Sequence, residues 1–296
     1  MGVSLTAGRF VVLEDRGVLA VGGPDRASFL QGLISNDTAK IGPGRAIYAA
    51  LLTAQGKYLH DFMLVEMGET IWIDAEAARL GDLKRRLTMY RLRAKATIDE
   101  RPDLAVAAVF DPEIFDLAVE PGLTSPLGDG VVFIDPRLAA LGARAMLPRE
   151  EIRPALRDKG AVEGDVAAYD RLRLGLGVPD GSRDLVLDKS ILLESGFDEL
   201  NGVDWNKGCY IGQELTARTK YRGLIKKRLF PVRIDGPAPE PGAILTQDGR
   251  EAGEMRSSRD GVGLALLRLE AVGHGKLAAG DTTIEPLTPA WMRLPD

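Results

Sequence analysis

The sequence predicts an α+β fold, mostly antiparallel sheet with packed helices, ending in a small β-barrel. Three observations carry this. Strands in the first half are joined by short turns rather than by the strict βαβ alternation of a parallel sheet. Beyond about Tyr221 the chain turns into short strand-like runs separated by Gly, Pro and Asp. At 296 residues there is chain enough for more than one core. The expected division is an α+β region over 1–220 and a barrel domain over 221–296.

In order, Phe10–Leu13 and Val18–Val21 read as strands around an Asp15-Arg16-Gly17 turn. A helix beginning at Pro24 presents Phe29, Leu30, Leu33 and Ile34 on one side and stops at Asn36-Asp37. Ile47–Thr53 and Tyr58–Glu66 form a hairpin through Gln55-Gly56-Lys57, with a further strand from Thr70 to Ile73. Asp74 is expected to cap a helix carrying Leu80, Leu83 and Leu87. Leu104–Phe110, Val131–Ile134 and Ala143–Leu147 are strands. Val166–Leu174 is a helix stopped by Gly175-Leu176-Gly177-Val178-Pro179. That stop is no dinucleotide fingerprint, since the third glycine and the preceding strand are missing. Arg228–Ile234, Ala243–Thr246, Glu251–Ser257, Val262–Leu267 and Thr282–Glu285 are the barrel strands.

The 38 basic and 43 acidic residues leave a net charge of −5, but the charge is segregated. Lys84, Arg85, Arg86, Arg91, Arg93 and Lys95 lie between Leu83 and Ile98 with no acid among them. Arg218, Lys220, Arg222, Lys226, Lys227, Arg228 and Arg233 form a second such run. On an acidic protein this pattern points to an anionic ligand or an acidic partner at those places. No RNA-reading aromatic motif accompanies either run, so direct nucleic-acid binding is not expected.

One cysteine excludes an intrachain disulfide, and with only His60 and His274 beside it the chain cannot build a metal cage alone. Cys209 sits in Lys207-Gly208-Cys209-Tyr210-Ile211-Gly212-Gln213-Glu214. A helix over Ile211–Thr219 would place it at or just before a helix N-terminus. The dipole, Lys207 and nearby arginines would then favour thiolate. Gln213 would fall on the same side as Cys209, and Glu214 with Arg218 would form an i,i+4 pair. The histidines offer no base for a cysteine protease.

The octapeptide Lys207–Glu214 resembles the signature of the YgfZ-type folate-binding proteins, relatives of the glycine-cleavage T-protein. The likeness continues through Leu215–Thr219 and Lys227–Val232. It includes Gly177-Val178-Pro179, Arg183-Asp184, Leu193-Glu194, Gly202-Val203, Phe29–Asp37, Gln55-Gly56-Lys57 and Asp61-Phe62. The run from Gly177 to Val232 is similar to the mitochondrial iron–sulfur assembly members and their bacterial kin. The resemblance implies a ring of three domains around a folate pocket, with the first 220 residues as two interleaved subdomains. The implied role is tetrahydrofolate-dependent assembly or repair of [4Fe–4S] clusters in client enzymes, with effects on tRNA modification through such clients. The implied partners are A-type iron–sulfur carriers and the clients themselves.

On the same footing Cys209, Lys207, Gln213 and Glu214 are the expected reactive set. Asp61, Glu194, Asn36, Tyr210, Arg218 and Arg228 are the expected folate contacts. Cys209 would hold a cluster transiently, as a ligand shared with a partner. The T-protein run L-R-L-E-A-G carries an acid where this chain has Gly175, and glycine cannot grip a pterin as a bidentate acceptor. Glu194 or Asp61 is the alternative carboxylate, and His60 stands where a second acid would lie beside Asp61. The departure favours an assembly factor over a turnover aminomethyltransferase, which stays the alternative, with a tRNA-modification-associated RNA-binding protein behind it. No membrane association is expected. The compartment would be the cytoplasm of a bacterium or the mitochondrial matrix of a eukaryote.

Overall fold

The computed structural model describes residues 8–223 and 225–294, and the chain divides into two compact units. The first takes the described part of Met1–Ala50 with Asp61–Tyr169 and Asn201–Gly208. The second takes Leu51–His60, Asp170–Leu200 and the described part of Cys209–Asp296.

In chain order the elements to residue 163 are β1 (Arg9–Val12), β2 (Arg16–Gly22), α1 (Arg26–Gln31), β3 (Ile47–Leu52), β4 (Tyr58–Met67), β5 (Thr70–Glu76), α2 (Leu80–Arg91), β6 (Thr97–Glu100), β7 (Leu104–Val109), β8 (Thr124–Leu127), β9 (Gly130–Ile134), β10 (Ala143–Pro148), α3 (Ile152–Asp158) and β11 (Val162–Glu163). They build a five-stranded sheet, β3-β4-β5-β2-β6, and a six-stranded sheet, β11-β1-β7-β10-β9-β8. β1 and β2 flank the expected turn but do not pair. Phe10–Val12 aligns with Ala107–Val109, and Arg16–Gly22 with Thr70–Glu76. Both strands are buried along nearly their whole length, so each needs cover on both faces and finds its partners in a different sheet. Phe10, Val109, Ile134 and Leu147 pack with Ile152 and Leu156 of α3 into one core. Burial of each of those α3 side chains stabilises by about 1.5–3 kcal/mol.

Asp74 does not cap a helix. It lies inside β5, with its side chain fully buried, 2.6 Å from Arg16 Nε and 2.7 Å from Arg144 Nη1. A 3-10 turn at Ala77–Arg79 intervenes before α2, which lacks a side-chain cap. Two buried guanidiniums outbid a capping role that is worth only about 1 kcal/mol. Leu83 and Leu87 are nonetheless fully buried under α2, as the helical spacing predicts.

The remaining elements are α4 (Val166–Gly175), α5 (Gly181–Asp184), α6 (Gln213–Tyr221), β12 (Lys227–Asp235), β13 (Ile244–Gln247), β14 (Arg250–Arg259), β15 (Val262–Arg268), β16 (Leu277–Ala279) and β17 (Thr282–Pro286). The six strands close into a barrel, β12-β15-β14-β13-β16-β17, filled by Phe230, Leu245, Met255, Leu267 and Ile284. Five of its strands were legible as short runs; β16 is three residues and was not.

A charge cluster clips α4 and α5 to β14. Arg173, almost fully buried, donates to Asp170 at 2.7 Å, to Asp184 at 2.6 Å and to Ser257 at 3.0 Å. Arg183 and Arg259 also donate to Asp170. Burial pushes the Asp170 carboxyl up, but the Arg183 hydrogen bond and the Arg173 charge outweigh it and hold it down to about 2. Its folded pKa is therefore below its unfolded value of 3.8. The carboxylate contributes stability that is fully present above about pH 4 and lost as pH falls toward about 2, on the order of 2 kcal/mol. Urea denaturation of Asp170→Asn against wild type should show a deficit of about that size at pH 7 that closes between pH 4 and 2. A gap independent of pH would remove the carboxylate from this role.

Candidate functional site

The loop that carries Cys209 is secured before it and after it, by different means. In the first unit, residues 201–207 are stitched to the end of α1. Ser35 Oγ donates to Gly202 O at 2.6 Å, and Asn36 Nδ2 donates to Asn201 O and to Tyr48 O, each at 2.8 Å. Asp204 Oδ1 accepts from the backbone N–H groups of Asn206 and Lys207, while Oδ2 pairs with Lys40 at 2.5 Å. Lys207 Nζ then donates to Gln31 O at 2.8 Å, Ile34 O at 2.6 Å and Asn36 O at 2.8 Å. Three donors meet three acceptors around the end of a helix, where a cation also suits the dipole. Burial lowers the Lys207 ammonium to about 8, with the carboxylates of Asp37 and Asp204 acting in the opposite sense. Its three carbonyl partners make the amine a peg for this stretch of chain.

Downstream, in the second unit, Gly212 adopts φ +82 immediately before α6. A Cβ there would lie 2.5 Å from Thr53 O and 2.9 Å from Gly56 Cα, and one on Gly56 would lie 2.7 Å from Gly212 O. Only two glycines allow the backbones of the Gln55-Gly56-Lys57 turn and the motif to approach this closely. The same conformation delays the helix to Gln213, two residues later than the spacing predicts. Cys209 thus lies outside the first turn, beyond the reach of the helix dipole. Cys209 is exposed.

The other expected residues fall into two groups. In the first unit Asn36 spends its amide hydrogens on Tyr48 O and Asn201 O and its carbonyl on Asp37 N–H. Asp61 is buried and accepts from Tyr48 Oη at 2.9 Å. The Tyr48 ring lies 5.7 Å from Arg137. Arg137 pairs with Asp135, which Arg144 links to Asp74 and so to Arg16. Burial and the neighbouring Asp61 charge both push the Tyr48 hydroxyl well up, so it stays a donor to Asp61. His60, which belongs to the second unit, is buried in β4. Thus Lys207, Asn36 and Asp61 belong to one connected set, through Tyr48, a residue the sequence does not advertise. Asp204 and Lys40 were missed as well, although Asp204 three residues before Lys207 is a legible side-chain-to-backbone turn.

In the second unit Glu194 lies in a 3-10 turn, Leu192–Ser195, that packs against α6 and β12. It is half-buried and makes no hydrogen bond among the described residues. Burial raises its carboxyl, against the charges of Lys57 and Lys227. Arg228 is buried and donates to Leu193 O at 3.0 Å and Glu199 Oε1 at 2.6 Å; its Nε and Glu199 Oε2 have no hydrogen-bond partner among the described residues. Tyr210 is buried, which pushes its hydroxyl up to about 12 against a smaller effect of Thr216. Gln213 begins α6. Glu214 and Arg218 are exposed on it, and no ion pair links them among the described residues. Gly175 is exposed at the end of α4, and a Cβ there would meet nothing within 4 Å. Packing does not demand glycine at that place.

Residues 226–294 match a family model described as the CAF17 C-terminal beta-barrel domain. The mitochondrial iron–sulfur cluster assembly factor IBA57 of Mus musculus is 38% identical, over 92% of this chain and 80% of that protein. The Homo sapiens counterpart is 40% identical over 88% and 77%. The chain belongs to the IBA57 family. Its fold is that of the T-proteins: the glycine cleavage system aminomethyltransferase T of Bartonella henselae superposes with a TM-score of 0.77, covering 96% of this chain and 86% of that one at 18% identity. At that identity the likeness concerns the fold alone. Among the described residues of this IBA57-family chain no helix is long and apolar enough to cross a membrane. No group of three or more His, Cys, Asp or Glu among them could hold a metal ion.

Two substitutions separate the peg from the thiol. Lys207→Met leaves three main-chain carbonyls short of a donor and should lower urea stability by about 2–4 kcal/mol. Cys209→Ala, at an exposed loop position, should stay within about 0.5 kcal/mol of wild type. Equal stability of the two variants would contradict this account of the loop.

Proposed function

We propose that this IBA57-family chain acts in the assembly of [4Fe–4S] clusters in client enzymes, Cys209 lending one thiolate to a cluster whose other ligands come from a partner. The observation that supports this most is the form of the loop. The chain's one cysteine is exposed two residues beyond a peg that three carbonyls immobilise. A fixed, accessible single thiolate suits a ligand that is shared and then given up. The IBA57 relatives bear the name of iron–sulfur cluster assembly factors and are mitochondrial. In a eukaryote this chain would work in the mitochondrial matrix, with an A-type [2Fe–2S] carrier as the partner that brings the cluster.

Tetrahydrofolate fits as a second ligand through the second unit. Glu194 carries a carboxyl group that burial has partly stripped of water and that no donor among the described residues satisfies. Such a group can accept from a pterin ring N–H and amino group together. Bound tetrahydrofolate would bring amine nitrogens able to carry one-carbon units. Asn36 and Asp61, already committed inside the first unit, and Arg228, held by Leu193 O and Glu199, contribute less in this reading than sequence alone implies.

The test of the first part is a deletion strain lacking this factor. Cys209→Ala should fold and accumulate normally yet leave [4Fe–4S] client activity unrestored, and full rescue would sink the reading. For the second part, titration with tetrahydrofolate should show Glu194→Gln binding at least about tenfold more weakly than wild type. Equal affinities would remove Glu194 from the site.

A further inference from the structure

We infer that the C-terminal tip of α2 is a docking element for the cluster-carrying partner, which it engages through exposed apolar side chains next to exposed cations. The inference rests on the function proposed above for that partner. The basic run that includes α2 separates into two halves. Lys84 pairs with Glu100, and Arg85 and Arg86 share Asp82, so these three have acidic partners within the chain. Arg91, Arg93 and Lys95 are all exposed, and none makes an ion pair among the described residues. Arg91 reaches only Ala96 O, at 3.5 Å, and Lys95 engages Asp25 through its backbone N–H.

Met89 and Tyr90 immediately precede these cations in the chain and Leu92 falls between Arg91 and Arg93; they are exposed by 64%, 45% and 88%. Three large apolar side chains side by side in solvent are unusual for an isolated surface, and a patch of this kind marks a binding surface. Leu92 supplies a second, independent sign. It ends α2 at φ 42, ψ −104, a conformation that costs a non-glycine residue on the order of 1 kcal/mol or more. Glycine would end the helix there without that cost. A leucine that is strained and almost wholly exposed recovers nothing by packing within this chain. The strain is accounted for if the side chain is buried elsewhere.

Charge decides the kind of occupant. The rest of the chain is net acidic, so three cations without an ion pair among the described residues steer an acidic rim toward this place. Tyrosine and arginine, both present here, are side chains enriched at protein–protein hot spots. A bilayer, which moulds itself to any apolar group, has no use for a backbone held in a strained shape. The fitting partner is therefore a folded protein with an apolar depression edged by carboxylates.

The test measures binding of a [2Fe–2S]-loaded A-type carrier by calorimetry at two salt concentrations, alongside sedimentation with cardiolipin-containing vesicles. Arg91→Glu/Arg93→Glu should weaken carrier binding at least tenfold and flatten its salt dependence. Leu92→Gly should weaken it comparably while leaving Tm unchanged or higher, a combination that a merely structural residue would not give. Wild-type affinity in both variants overturns the docking element while leaving the proposed function intact. So does binding of wild type to vesicles that these substitutions abolish, with carrier binding unaltered. A wild-type chain that does not bind the carrier at all overturns both.

Discussion

Lys207 donates to three main-chain carbonyls that the end of α1 leaves open, and the position of the cysteine follows from it. The lysine cannot leave without stranding three acceptors, so the chain is fixed up to two residues before Cys209. Three residues after the cysteine, Gly212 presses against the backbone of the 53–56 turn, where no side chain fits. Neither restraint touches the sulfur. Together they hold the loop while leaving the thiol exposed, which a ligand passed between proteins requires and a buried structural cysteine would forbid.

Buried charge does similar positioning in each unit. In the first, Asp61, Tyr48, Arg137, Asp135, Arg144, Asp74 and Arg16 form a continuous series of contacts. In the second, Arg173 is held by Asp170 and Asp184, with Ser257 completing the set. Breaking one partner from such a pair costs about 3–5 kcal/mol because a buried charge is left uncompensated. The networks explain why Arg183-Asp184 and Asp61, which mark the resemblance to folate-binding proteins, need not all touch folate. Some of them hold the scaffold.

The parts of the fold that were legible in the sequence are those written in local pattern. The hairpin through Gln55-Gly56-Lys57, the buried stripe of α2 and five of the barrel strands follow from alternation, helical spacing and turn residues. Asp74 looks like a cap because its local context suits one, yet Arg16 and Arg144, 58 and 70 residues away in sequence, decide its place. Lys207 looks like a cation beside a thiol until the end of α1, more than 170 residues earlier, claims its ammonium. The start of α6 was misplaced because Gly212 needs a positive φ to meet Gly56, a contact that no local window contains. The manner in which the cysteine motif is held was not legible in the sequence.

A T-protein fold here presents a single exposed thiol on a braced loop. The central claim is that Cys209 shares a cluster with another protein, and native mass spectrometry tests it most directly. An anaerobic mixture of this protein with a [2Fe–2S]-loaded A-type carrier is predicted to give a one-to-one complex bearing a single cluster, and Cys209→Ala is predicted to lose that cluster-bearing species. A complex of Cys209→Ala carrying the same cluster, or a cluster that stays entirely on the carrier, would contradict it.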